Sequence, residues 1–276
     1  MPDPPVPAGH PPVDTKTPSV ARMYDYLLGG KDNFAADRAV CDQLIAVEPD
    51  MPAMVRENRA WQGRVLRWLV QDAGIDQFLD VGSGLPTAEN THEVVLRLAP
   101  DARVVYADND PAVLAFGRAL MDDDDHAHFV AADLTRPDEV ITHPTVTGSL
   151  DLNRPVALLQ GLTLHHLPDT EQVRSVMRTY IDALAPGSYV AVTHARLLPE
   201  DDSPAGRAYH EMLTRFHRVF PNLAPRTADE ILSLLPGLEP VPPGLVPLDQ
   251  WWPNGPRIEP APPITEAIVG VVARKP

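Results

Sequence analysis

The residues of this chain best able to do chemistry are carboxylates set at the ends of apolar runs. Asp80 lies within the stretch FLDVGSGLPT, between Leu79 and Val81 and just ahead of Gly82, Ser83 and Gly84. Asp108 closes the run RVVYAD and is followed by Asn109; Asp133 closes HFVAAD and is followed by Leu134. A strand that enters a helix through glycines leaves backbone N–H groups unpaired and lets a ligand approach without meeting a Cβ. An acid 24 residues beyond Gly84 can accept both hydroxyls of a ribose. One at the end of a third strand can accept from the exocyclic amine of adenine. This is the chemistry of a nucleotide-containing ligand. The dinucleotide fingerprint would place a third glycine at position 87, which is Thr87, so the glycine turn alone does not specify the ligand. A fourth apolar run ends in Gln160 and Gly161, which would lie under the same ligand, and His165 and His166 follow it. With His194, at the end of a fifth run, they are the imidazoles available as a general base.

These residues need a sheet to bring them together. Apolar runs at 76–81, 103–108, 128–133, 155–162 and 188–195 alternate with amphipathic stretches. That is the pattern of a parallel α/β sheet with helices on both faces. Such a sheet binds ligands at the carboxyl ends of its strands, where the acids fall. The spacing predicts a helix after the first strand with Val94, Val95 and Leu98 on one face, another starting at Asp110 and Pro111, and a third over 170–184. Ahead of the first strand, residues 18–74 read as a cap of three helices. Ser19 starts the first, and Trp61, Val65, Trp68 and Leu69 share one face of the last. The sheet domain then spans 75–276, and the proline-rich residues 1–17 read as a disordered tail. After residue 200 two helices, the second capped by Thr227, lead to a proline-scattered stretch and the apolar run AIVGVVARK. These suit a hairpin at one edge of the sheet. Trp251 and Trp252 either line an apolar pocket or anchor that hairpin.

The formal net charge of −15 argues against a surface that tracks phosphates, so no nucleic-acid partner is expected. No apolar run reaches the roughly 18 residues of a membrane helix, and the N-terminus lacks the basic and apolar parts of a signal peptide. The expectation is a cytoplasmic protein with no membrane partner. The single Cys41 can form neither an internal disulfide nor a cysteine-based zinc site. The run Asp122–Asp125, with His126 and His128, reads as a solvated loop rather than a metal site, and no metal is expected.

With Asp80, Gly82, Gly84, Asp108 and Asp133 in these positions, the chain resembles the class I S-adenosylmethionine-dependent methyltransferases. The resemblance implies a Rossmann-like, doubly wound α/β sheet, mostly parallel with an antiparallel last strand. In that fold the D-V-G-S-G turn holds the amino-acid end of the cofactor, the acid at Asp108 the ribose and the acid at Asp133 the adenine. The stretches ARMYDYLLGGKDNF, VGSGLPTAENTHEV and VVYADNDP are similar to a narrower family, first catalogued as a domain of unknown function and later labelled S-adenosyl methyltransferase. That likeness covers nearly all of the chain after residue 17. It implies methyl transfer from S-adenosyl-L-methionine to a small-molecule acceptor by in-line displacement. Two alternatives are a module that binds the cofactor without transferring the methyl group, and an NAD-dependent oxidoreductase. Thr87 and the terminal hairpin count against the second. The family stretches include residues 18–34, which have two readings. They close over the cofactor, with Tyr24 as cover, Gly30 allowing close approach and Asn33 meeting the methionine end; or they pack as an ordinary amphipathic cap.

Overall fold

Strand-forming and helix-forming stretches alternate in the chain as its periodicity requires. The computed structural model describes residues 13–86, 89–121, 125–199, 204–251 and 263–276. The proline-rich tail to residue 12, Thr87, Asp122 to Asp124 and Trp252 lie outside the described residues. Helices α1 (Val20–Leu27), α2 (Ala35–Val47) and α3 (Met51–Gln71) precede β1 (Gln77–Val81). Next come α4 (Thr91–Leu96), β2 (Arg103–Asp108), α5 (Pro111–Met121), β3 (Ala127–Ala131), α6 (Pro137–Ile141), α7 (Pro144–Ser149) and β4 (Ala157–Gly161). The rest are α8 (Thr170–Ala183), β5 (Tyr189–Ala195), α9 (Pro204–Val219), α10 (Ala228–Ser233), β6 (Glu239–Pro240), β7 (Val246–Pro247) and β8 (Ile268–Arg274).

The sheet order is β3-β2-β1-β4-β5-β8-β6, with β7 also on β8. Strands β1 to β5 are parallel, and β8 runs antiparallel to β5 from Tyr189 opposite Arg274 to Ala195 opposite Ile268. The proline-bearing pieces β6 and β7 pair only with β8, so they lie where a missing N–H does not interrupt the ladder. From β1 the chain winds outward through β2 and β3, then returns to β4 and continues the other way. Strand order therefore reverses between β1 and β4, which opens a crevice at their carboxyl ends.

Period-two alternation decides which residues face which layer. Phe78, Val104, Tyr106 and Leu159 join the core that also holds Met23, Val55 and Trp61 of α1 and α3. Leu79, Val81, Val105 and Leu158 join the opposite core with Val140, Val173 and Met177. Asp80 shares the parity of Phe78, and Asp108 that of Tyr106, so both acids lie on the face covered by the N-terminal helices. Helix α3 comes close because Gly270 of β8 has no side chain. A Cβ there would fall 2.6 Å from Trp61. Trp251 is fully buried, edge-on to Trp61 at 5.9 Å and to Trp68 at 6.2 Å. It is a core residue of the hairpin region.

Some local expectations differ from the fold. Helix α4 stops at Leu96, so Leu98 lies beyond it and is exposed while Val94 and Val95 are buried. Strand β3 ends at Ala131, which puts Asp133 in the following turn. The short helices α6 and α7 were not foreseen. At five and six residues they are too brief to show a helical repeat.

Candidate active site

A cleft of about 360 Å³ occupies the β1–β4 crevice. The glycine turn after β1 forms its floor. Gly82 and Gly84 have φ values of +74° and +70°, a region that favours glycine. Gly82 N–H donates to Ala107 O at 2.7 Å, and a Cβ at Gly82 would fall 2.4 Å from the Thr163 methyl. A Cβ at Gly84 would meet nothing within 4 Å, so at this position the backbone itself faces the cleft.

Asp108 ties this turn to β2. Its carboxylate accepts from Gly84 N–H and from Asp110 N–H, each at 2.9 Å. Asp80 accepts from the Thr91 hydroxyl at 2.8 Å. Burial pushes the Asp80 carboxyl up to about 6, opposed by the Thr91 hydrogen bond and by the nearby Arg59 cation. Burial likewise raises Asp108, against its two N–H donors. In the turn after β3, one oxygen of Asp133 accepts from the Thr135 N–H and hydroxyl, both at 2.8 Å. Ser83, Asn109, Leu134 and Gly161 complete the strand-end lining.

The N-terminal helices supply the opposite wall, with Val20, Ala21 and Tyr24 from α1 and Asn58, Arg59 and Gln62 from α3. The Ser19 hydroxyl donates to Asp110, which fixes the start of α1 beside the end of β2. The α3 residues were missed in the sequence. They continue the buried line of Val55 at i+3, i+4 and i+7, and a polar stripe of that kind is otherwise read as a solvent face.

Three expected residues do not line this cleft. Gly30 and Asn33 belong to a closed network. Asp25 accepts from Asp32 N–H at 2.9 Å and from the Asn33 amide at 2.8 Å, and a Cβ on Gly30 would fall 1.9 Å from the Asp25 carboxylate. The Asn33 amide and the Asp25 carboxylate thus engage each other, and neither lines the cleft. Gln160 is fully buried beneath the sheet edge, its oxygen accepting from the Thr163 hydroxyl at 2.7 Å.

The three histidines separate by environment. His194 is fully buried. Its Nδ1 donates to Ala195 O at 2.7 Å and its Nε2 accepts from Arg226 at 3.0 Å, so it is a neutral imidazole that lines neither cavity. Burial, then Arg226, lowers it to about 4. Arg226 also donates to Leu164 O and Leu167 O, locking the turn that carries His165 and His166. His165 Nδ1 accepts from Ala195 N–H at 3.2 Å, and burial holds this imidazole well below its usual range. His166 is half-buried, lowered to about 4 by burial, and lines the cleft.

A second cavity, of about 140 Å³, adjoins the first. It is walled by apolar residues of α1, α2, α3 and α9, among them Leu27, Met54, Leu213 and Phe216. Val20, Tyr24, Leu162 and His166 line both hollows. Leu162 has φ +55° and is held by its N–H donating to Thr193 O and Oγ1. A larger depression of about 520 Å³ lies at the amino ends of the strands beside Gln77, Arg103 and Asp151, remote from the glycine turn. Among the described residues no group of His, Cys, Asp and Glu could hold a metal ion, and no helix is long and apolar enough to cross a membrane.

The cleft fits an adenosyl cofactor by its donors and acceptors. Two of its residues, Ser83 and Asn58, carry buried side-chain oxygens with no hydrogen-bond partner, and such atoms await polar groups of a ligand. A switch-point cleft with this glycine turn, on a sheet with an antiparallel last strand, defines the Rossmann-like methyltransferase fold. The chain belongs to the S-adenosyl methyltransferase family, whose model matches residues 8–276, and its cofactor is S-adenosylmethionine. It is 39% identical to an inferred methyltransferase from Thermobifida fusca YX, whose crystal structure superposes with a TM-score of 0.87 over 95% of this chain and 96% of that one. A DUF574 family protein from Streptomyces avermitilis MA-4680 is 34% identical, with a TM-score of 0.86 over 95% and 99% of the two chains. No curated protein is significantly similar to the chain. The family match sets aside the nicotinamide-linked alternative.

Proposed function

We propose that the switch-point cleft binds S-adenosylmethionine and that a small-molecule acceptor occupies the adjoining apolar cavity. The observation carrying this reading is the shared wall of Val20, Tyr24, Leu162 and His166, where the two hollows meet. Asp80 and the Gly82–Gly84 turn take the amino-acid end. Asp108 takes the ribose hydroxyls with the lone pairs left by Gly84 and Asp110, and Asp133 with Leu134 takes the adenine. Tyr24 and Asn58 cover the cofactor from the helical side. When bound, the cofactor supplies a methyl group activated by its sulfonium charge. The chain's task is alignment: α1 and the Leu162–His166 turn hold the acceptor in line with that methyl group. Such positioning lowers a barrier by about 7–11 kcal/mol in well-oriented cases. Of the three histidines, His166 is the one proposed to contact the acceptor. His165 and His194 hold the turn.

Calorimetric titration tests the reading. Heat is expected with S-adenosylmethionine and S-adenosylhomocysteine and little with NAD. Tight NAD binding without heat from either sulfur ligand would sink it.

A further inference from the structure

The chemistry of the acceptor is written in the second cavity. Its volume, about 140 Å³, is close to the roughly 150 Å³ of an apolar protein cavity that takes up benzene. Among the described residues, no Asp, Glu, Lys or Arg lines it. A carboxylate or ammonium drawn into it would lose its water and find no counter-charge, at a large cost. Among the described residues, four polar ones touch the cavity, and three are already engaged. Tyr24 donates to Val55 O and accepts from the Asn58 amide, Tyr209 donates to Arg196 O, and His165 accepts from Ala195 N–H. His166 donates its backbone N–H to Thr163 O, while its ring contacts His165 and Phe220 and has no hydrogen bond among the described residues. It also lines the cofactor cleft.

Resting on the cofactor reading above, we infer that the acceptor is a compact, uncharged phenol of about one ring, seated among apolar side chains with its hydroxyl at His166. Met23, Met54 and Met212 on the walls suit an aromatic ring, since thioether sulfurs pack favourably on ring edges. The hydroxyl oxygen takes the methyl group as the carbon–sulfur bond breaks and the carbon–oxygen bond forms. Its proton passes to the unprotonated His166 imidazole and from there to water. Burial makes this imidazole a weak base. A phenol, with a pKa near 10 as in tyrosine, gives up its proton far more readily than an aliphatic alcohol, which is the order a weak base requires.

The test is binding to the full chain saturated with S-adenosylhomocysteine, followed by calorimetry with phenol, benzoate and benzylammonium. Phenol is expected to bind at least about ten-fold more tightly than either ion. Leu213→Trp, which fills the cavity from α9, is expected to abolish phenol binding and to leave S-adenosylhomocysteine affinity within two-fold. His166→Ala should weaken phenol and leave toluene unchanged. Failure of S-adenosylhomocysteine to bind would overturn the cofactor reading. Normal S-adenosylhomocysteine binding with no phenol uptake, or with phenol no better than benzylammonium, would overturn the acceptor assignment alone.

Discussion

The two hollows of this protein are built by opposite means. The cofactor cleft is made of strand ends: Asp80, Gly82, Gly84 and Asp108 lie within 29 residues of one another and act largely through backbone N–H groups and carboxylates. The apolar cavity is made of side chains gathered from Val20 to Ile268, and no local pattern marks them. On the reading proposed above, the first hollow takes a constant molecule through fixed backbone geometry. The second is shaped by packing, so on the same reading its specificity changes residue by residue while the first stays the same. Substitutions in the cleft should therefore act on cofactor and stability together, and those in the cavity on the acceptor alone.

The hardest test of that division is Gly82→Ala. It forces a side chain into positive φ and against the Thr163 methyl, whose hydroxyl is engaged with Gln160. The expected loss of stability is about 2–5 kcal/mol, read by denaturant titration, with cofactor binding lost. Stability close to that of the parent would mean the turn is more pliable than its contacts imply.

Asp80→Asn comes next and has a definite sign in pH. Burial raises the folded-state carboxyl from 3.8 to about 6. Its contribution to stability is therefore full below the unfolded value and is lost as pH rises from 4 to 6. The asparagine does not titrate, so the ligand-free variant should gain about 3 kcal/mol on the parent across that window and keep the gain above it. Cofactor affinity should move the other way. The parent should bind S-adenosylhomocysteine more tightly above pH 6, where Asp80 is ionised, and the variant should lack this dependence. A flat stability difference between pH 4 and 7 would show that Arg59 and Thr91 fully offset the burial.

Asp108→Asn should have a smaller effect. The amide places a donor against either Gly84 N–H or Asp110 N–H, and cofactor binding should weaken by about 1.5–3 kcal/mol. Phenol binding, measured apart, should change little. Hydrogen exchange gives the finest resolution. S-adenosylhomocysteine should protect Val20 to Tyr24 along with the glycine turn and leave Gly30 to Asn33 unaltered. Protection of both segments alike would restore residues 18–34 as one closing unit.

Much of the cleft could be read in the sequence because each acid sits in an apolar run with its turn residue next to it. The sheet was legible for the same reason, to within two residues at the end of β3. What could not be read depends on contacts across the chain. Gln160 looked like a ligand contact because it ends a strand, yet alternation turns it away from the cleft and Thr163 engages its oxygen. Asn33 looked available because its partner, Asp25, lies in the preceding helix. The buried Arg22–Asp37 pair and the Asn58–Gln62 stripe were invisible because a charged or amide side chain on a helix is ordinarily solvated. His166 could not be told from His165 until the Ala195 N–H was seen to occupy one and leave the other.

Leu162 stands at the junction of the two hollows with a backbone conformation that leucine adopts rarely. The cost is about 1–2 kcal/mol, sustained by Thr193. Asparagine adopts this conformation readily. A library screened for folded protein should therefore tolerate Leu162→Asn, and the same library screened for product should reject it. The two rankings should diverge at this position, a sign that the leucine is retained for the wall it gives the ligands and not for the fold.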